Sequence, residues 1–259
     1  MIKRIAVICV ALAFCSCASS GSGSSVSNPS PPIFLNSYWY TLPRPGTLFI
    51  IGTSGKQQKP ENEIDIARED AARKASMYHS VFASYHSVQN IGSSIFDYYS
   101  ASEINLIYDT DLEKYKERLV FDEKRDVRTS DRGVFVRFAY PASFPGSIFY
   151  HFRRNSNGSP EWTTRPPREI SGFMTGVGFS PRQFYFRDTF EKSCDAAVAA
   201  LVSQLSTTVT TRETSINYYN TSHIDQQSSG NLADFLVLEI WVDPNTQAVW
   251  TLAIARKPQ

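Results

Sequence analysis

The sequence predicts an α+β protein of two similar domains, each a long helix packed on a small antiparallel sheet in β-α-β-β-β order. Three observations carry that expectation. A buried strand, an Ala-rich amphipathic helix and a late apolar hairpin follow in the same order in each half. Short matches recur between the halves at nearly constant spacing. The composition, 42% apolar, 13% aromatic and 20% charged over 259 residues, is that of an ordinary globular chain with room for two modest cores.

Residues 1–16 read as a lipoprotein signal peptide. Lys3 and Arg4 form a basic start, and the apolar run from Ile5 to Phe14 is shorter than the about 20 residues a spanning helix needs. The stretch Phe14-Cys15-Ser16-Cys17 resembles a lipobox, with cleavage between Ser16 and Cys17 and Cys17 as lipid acceptor; Phe14 stands where Leu is preferred. Cys15 is excluded as acceptor, because bulky Phe14 would then occupy the position that requires a small residue. A diacylglycerol group on the sulfur and a palmitate-type chain on the amine would give three anchors, each buried CH₂ contributing about 0.8 kcal/mol. The alternative is a cleaved signal on a soluble secreted protein.

Residues 17–32 hold the lipidated Cys and a Ser/Gly/Pro tether, "ASSGSGSSVSNPSPP", which has too little apolar surface to fold. Extended, it reaches roughly 50 Å, so the folded part would ride clear of the bilayer. Ala18 after Cys17, where Asp would favour retention, leans towards the outer membrane over the inner, with the folded part facing the periplasm or the surface. Cys9 and Cys15 leave with the signal and Cys17 takes lipid, so Cys194 is alone, on an apolar helix face, and is expected to be a buried structural thiol.

The first domain is expected over 33–141. Within it "TLFIIGTS" reads as a buried strand, and a helix is expected from Glu61 to Ser87 on the stripe Ile64, Ala67, Ala71, Ala75, Tyr78, Phe82 and Tyr85, opened by Pro60. "ERLVFDEKRDV" and "RGVFVRFAYP" flank "RTSD" as a hairpin, and Ile104 to Lys116 reads as an insertion. Residues 142–159 connect, with "GSIFYHFRR" a candidate extra strand.

The second domain is expected over 160–259. "GFMTGVGF" is a strand, and Pro181 opens a helix to about Leu205 with the stripe Phe186, Phe190, Cys194, Ala197, Leu201 and Leu205. "TTVTTRET" is β-branched and reads as a strand, and "DFLVLEIWVD" with "AVWTLAIARK" forms a hairpin around "PNTQ". Between the halves, Gly52 answers Gly178 at an offset of 126, "DYYSAS" answers "NYYNTS" at 120, and "RGVF" answers "QAVW" at 115. "DAARKA" and "DAAVAA" match at 125, one residue out of step with the helix stripes, which follow 126.

With Pro-Glu before Trp162, a strand closing on "GVG", an Ala-rich helix and "EIWVDPNTQAVWTLAIARK", the second half resembles the LPP-type bacterial envelope lipoprotein family and is similar to the N-terminal domain of the flagellar assembly protein FlgT. The resemblance is weaker over Asn36 to Tyr140. It implies a helix on a small antiparallel sheet, a non-catalytic envelope protein, and structural roles for the Trp and the paired glycines, which would free the turn from strand to helix.

Chemical motifs do not point elsewhere. "GTSGK" lacks the first Gly and the Ser/Thr of a P-loop, and "GVGFSP" lacks the third glycine of a dinucleotide fingerprint. His79 and His86, both expected on one helix seven residues apart, are too far from each other to share a metal, and HExxH and Gly-x-Ser-x-Gly motifs are missing. The net charge of +1 gives no field for nucleic acid. The expectation is therefore a membrane-anchored envelope lipoprotein, not an enzyme and without a cofactor or metal. It would hold the bilayer through Cys17 and bind an envelope protein or glycan partner through aromatics: Tyr98, Tyr99, Tyr218 and Tyr219, with Trp241 and Trp250 nearby. Core or cross-strand packing is the other reading of those rings. The alternatives are a lipid-anchored hydrolase acting on cell-wall or envelope substrates, and a regulator of flagellar or wall-synthesis machinery.

Overall fold

The structure is a computed structural model that describes residues 42–59, 61–91, 99–129, 133–144, 148, 150, 153–216 and 219–256. The signal segment, Ser16, Cys17, the tether, Pro60, Tyr98 and Tyr218 lie outside the described residues. The class is mixed α+β with antiparallel sheets. A three-stranded sheet, order β1-β5-β4, is built from β1 (Leu48–Gly55), β4 (Val127–Thr129) and β5 (Gly133–Tyr140). A seven-stranded sheet runs β3-β2-β9-β10-β7-β6, with β8 also on β9. Its strands are β2 (Val81–Ile91), β3 (Tyr99–Ile107), β6 (Glu169–Ile170), β7 (Phe173–Ser180), β8 (Thr207–Ile216), β9 (Tyr219–Val242) and β10 (Val249–Arg256). The larger sheet takes strands from both halves of the chain, so the halves are joined by backbone hydrogen bonds rather than merely tethered.

The long helices are α1 (Glu61–His79) and α4 (Phe186–Val202), with two single turns between them, α2 (Glu113–Lys116) and α3 (Glu123–Asp126). The expected stripe of α1 is buried at Ala67, Ala71, Ala75 and Tyr78. The helix nevertheless stops at His79, eight residues short of the expected end at Ser87. From Val81 the burial changes period: Val81 and Ala83 enter the core while Phe82 and Ser84 are only partly covered, which is a strand's alternation. Phe82, Tyr85 and His86 therefore belong to β2, not to the helix, and His79 and His86 lie on different elements.

Other boundaries shift for local reasons. Pro181 does not open α4, which begins five residues later at Phe186. The arm "ERLVFDEKRDV" follows α2 and holds the single turn α3; it makes one bridge, Val120 to Ala139, and reaches β5 as strand only at its last residue, where β4 (Val127–Thr129) begins. Ile104 to Ile107 is not insertion but the end of β3, paired with β2. In the connector, the described residues of "GSIFYHFRR" add no strand, only a bridge from Arg154 to Pro160. The late hairpin is β9·β10, but β9 begins at Tyr219 and is 24 residues long. Its polar first part, "YNTSHIDQQSSGNL", has no apolar alternation to betray it. Asp234 takes a left-handed φ of 54° where β9 passes from its β2 partner to its β10 partner, an irregularity that re-aims the strand.

Both cores mix the halves. Phe135 of β5 meets Phe186 and Phe190 of α4 edge-on, at 5.5 and 6.3 Å between ring centroids. Leu48, Ala71 and Phe138 share the other cluster with Trp162, Leu238 and Leu252. Gly52 of β1 and Gly176 and Gly178 of β7 serve these contacts rather than a turn. A Cβ added to Gly52 would stand 1.9 Å from the Ala67 carbonyl oxygen of α1, and one added to Gly178 would stand 1.9 Å from the Ser193 carbonyl oxygen of α4. Each helix therefore packs on its strand at backbone distance.

Candidate functional site

Beyond the cores, four neighbouring strands form an antiparallel sheet in the order β3-β2-β9-β8. β2·β3 pairs without a break from Phe82↔Ile107 to Asn90↔Tyr99, β2·β9 from Val81↔Leu232 to Ile91↔Ser222, and β8·β9 from Thr207↔Ser228 to Ile216↔Tyr219. Past Ala83, no described residue of β2 belongs to either core, and none of β8 does. Near the core Ile104 and Leu106 of β3 pack against the buried cluster; farther out, backbone ladders and Ser/Thr-rich cross-strand rows hold this region.

The register sets polar side chains in rows. His86 faces Glu103 on one side and Gln227 on the other, and Gln227 faces Thr208; Ser84 faces Asn105 and Ser229. These residues line an open groove of about 550 Å³. His86 Nε2 lies 3.0 Å from Asp225 Oδ1. Both side chains are substantially solvated, so the pair adds little stability. Among the described residues, no hydroxyl or thiol is hydrogen-bonded to His86. A second cleft, of about 760 Å³, opens between the hairpin and α4, with Tyr85, Ile104, Phe179, Lys192, Asp195 and Gln226 on its walls.

The structure brings part of the aromatic set to this sheet. Tyr99 opens β3 and Tyr219 opens β9, and the register places both at the same end, farthest from the cores. Trp241 is buried, and Trp250, its register partner, stacks on Phe179 at 4.6 Å, so these two rings serve packing.

Cys194 is 4% exposed, and burial pushes its thiol up to about 11, which keeps it an inert neutral group at neutral pH. His79 Nε2 lies 2.9 Å from the Tyr140 hydroxyl, which also accepts from Arg118 at 2.7 Å. Burial first, then the Arg118 charge, hold the His79 imidazole below its ordinary value. It packs the first half and has no part in the groove. No group of three His, Cys, Asp or Glu able to hold a metal occurs among the described residues.

Two charge clusters were not legible in the sequence. Asp70 is fully buried and accepts from Thr53 N at 2.9 Å, Thr53 Oγ1 at 3.0 Å and Lys74 Nζ at 2.7 Å. Lys74 also donates to the Ile51 carbonyl at 2.8 Å, and Arg73 reaches from α1 to Glu191 and Asp195 of α4, 4.0 Å from each. Glu239, 3% exposed within β9, accepts from Trp162 Nε1 at 2.7 Å and from Arg154 at 2.5 Å. Burial raises the Glu239 carboxyl above its ordinary value, against the pull of those two bonds. The only signal in the sequence was a lone acid inside the apolar run "DFLVLEIWVD".

No helix among the described residues is long and apolar enough to cross a membrane. Comparison with protein families, with curated proteins and with solved structures found no match.

Proposed function

We propose that this chain is a membrane-anchored envelope lipoprotein with a non-catalytic binding role, and that the four-stranded hairpin sheet is its binding surface. The observation that carries the reading is the outer part of the hairpin sheet: long and polar, with no described residue of β8, or of β2 past Ala83, in either core, and with Tyr99 and Tyr219 towards its far end. The anchor rests on Lys3, Arg4, the run Ile5–Phe14 and the lipobox ending at Cys17, and the envelope setting on the resemblance to the LPP-type lipoproteins.

Within this proposal the two halves are copies of one β-α-β-β-β unit, over 33–141 and 160–259. The pairings support it, because the sequence offsets carry one half's register onto the other. Gly52↔Val136 becomes Gly178↔Thr251 at 126 and 115. Phe82↔Ile107 becomes Thr208↔Gln227 at 126 and 120. The glycine contacts follow 126 as well, Gly52 under Ala67 and Gly178 under Ser193. That favours 126 over the spacing of the "DAARKA" match.

Two readouts on the intact protein test the function. Cys17→Ala should move the protein from the detergent phase to the aqueous phase; continued partition into detergent would sink the anchor. Wild-type protein should retrieve one stoichiometric envelope partner that a Tyr99→Ser/Tyr219→Ser variant binds about 30-fold more weakly or worse, as expected for aromatic anchors worth about 2 kcal/mol or more. Equal retrieval by both would place the binding surface elsewhere.

The pairing of His86 with Asp225, beside Glu103, favours a second reading, a hydrolase of envelope glycans or esters. It requires turnover of wall fragments or model esters by the wild type that His86→Ala abolishes. No turnover by the wild type would end it.

A further inference from the structure

We infer that the chain assembles with copies of itself, head to tail, by pairing the outer edge of β8 in one copy with the outer edge of β3 in the next. The inference rests on the repeat reading above and extends it to a partner, a second copy of this chain.

Inside one chain the two hairpins are already joined in this way. β2 of the first hairpin pairs antiparallel with β9 of the second, from Val81↔Leu232 to Ile91↔Ser222. Under the repeat, β2 corresponds to β8 and β3 corresponds to β9. The internal junction is therefore one link in a chain of links. Its next copy would need β8, the image of β2, to meet β3, the image of β9. Those are the two outer strands of the four-stranded hairpin sheet, each with a neighbour on one side alone among the described residues. Their directions are right for it. β3 and β9 both run antiparallel to β2, and β8 runs antiparallel to β9, so β8 meets an incoming β3 antiparallel.

The offsets also give the register. Moving the internal pairs His86↔Gln227 to Asn90↔His223 by 126 on one strand and 120 on the other gives Arg212↔Ile107 through Thr214↔Asn105 to Ile216↔Glu103. Both offsets are even, so the pleat stays in phase across the junction. The second hairpin is also stepped along the first: the row of Phe82 and Ile107 continues at Asn231, whereas its image lies at Gln227. A stagger repeated at each junction lets a sheet curl and close. The contact uses two different patches, so it propagates to a ring or a filament.

A second, independent observation is how little guards these edges. Isolated edge strands are usually short, broken by Pro or a bulge, or studded with Lys. β3 is nine residues and β8 ten, neither contains Pro or Lys, and both pair with their inner neighbours without a register shift.

The test is a paired-cysteine experiment on the full chain, in detergent. Thr214→Cys with Asn105→Cys should give a disulfide-linked ladder of multiples of the chain under mild oxidation, while either substitution alone gives none. Within one copy the two positions are separated by three strand spacings, about 14 Å, and also by the register, since Thr214 faces Thr221 while the row of Asn105 reaches Ser229; this is far beyond the about 4–7 Å Cα separation of a disulfide, so the link has to form between copies. Light scattering on the wild type, with the mass of bound detergent subtracted, should report a protein mass that is a multiple of the single chain. A monomer at micromolar concentration with no ladder overturns the assembly and leaves the repeat standing on its glycine contacts. A ladder from Thr214→Cys with Ser102→Cys, but not with Asn105→Cys, overturns the register and the repeat from which it comes.

Discussion

Gly52→Ala and Gly178→Ala should each cost about 3 kcal/mol or more of folding stability, for one shared reason. The added methyl would sit 1.9 Å from a helix carbonyl oxygen, Ala67 in one case and Ser193 in the other. Ordinary overpacking costs about 1–3 kcal/mol when side chains can yield. Here the obstacle is main chain in the middle of a helix, so the whole helix has to lift from its strand. In a chain of this size that is a fall in Tm of about 6–12 °C or more, read by circular dichroism. Gly55→Ala is the control, since an added Cβ there meets nothing within 4 Å, and its melting curve should stay within about 0.5 kcal/mol of wild type. If Gly52→Ala melted with the wild type, the close packing of α1 on β1 would be refuted. If only one of the two glycines proved sensitive, the equivalence of the two units would lose its best support.

Asp70→Asn should destabilise by about 3–5 kcal/mol, the range for removing one partner of a buried pair. The loss comes chiefly from Lys74, 6% exposed, whose ammonium would lose its buried counter-charge and touch neutral groups alone: the amide oxygen of the new side chain, the Ile51 carbonyl and the face of Phe190, 4.6 Å from its ring centroid. A double variant, Asp70→Leu/Lys74→Met, should lose less than Asp70→Asn alone, because it buries no unpaired charge. Equal losses would mean that the pair is not coupled. The pH dependence has a definite sign. Burial works to raise the Asp70 carboxyl, but Lys74 and Arg73, with the bonds from Lys74 and Thr53, hold it below its ordinary value. A folded-state value below the unfolded one gives stability that is present above the ordinary aspartate range and lost as pH falls through the folded value. Wild type should therefore lose stability on acidification in a window where Asp70→Asn shows a flatter profile.

These two sites differ in how far they could be read in advance. Gly52 and Gly178 stood out as a matched pair, although the role expected of the "GVG" glycines was misplaced: Gly178 was expected to free a strand-to-helix turn, and both it and Gly52 are found within a strand beneath a helix. Asp70 stood in a recognisable match, "DAARKA", but nothing local distinguishes an aspartate that caps a surface helix from one that holds Lys74 in the core. The same limit hid Glu239, whose partners Trp162 and Arg154 come from the connector side of the second half.

The helix boundary at His79 shows a different limit. Residues spaced by three and four continued through Phe82 and Tyr85, which fits a period of 3.6, while the strand that forms instead buries the alternate residues Val81 and Ala83. What decided between them was the partner strand β9 lying beside Val81 to Ile91. The polar part of β9 was invisible for a related reason. Strands outside a core need no apolar face, so they leave no alternation to read.

Local rules were enough for a buried strand followed by an apolar-faced helix in each half, and for the late hairpin of the second half, because each depends on periodicity over a short window. Tertiary structure alone decided that the two halves share a sheet, that α1 and α4 are bound by ion pairs across the halves, and that Tyr99 and Tyr219 finish at one end. Each of those joins residues far apart in the chain, and the energy that selects them, buried area and satisfied backbone edges, exists only once the partners have met.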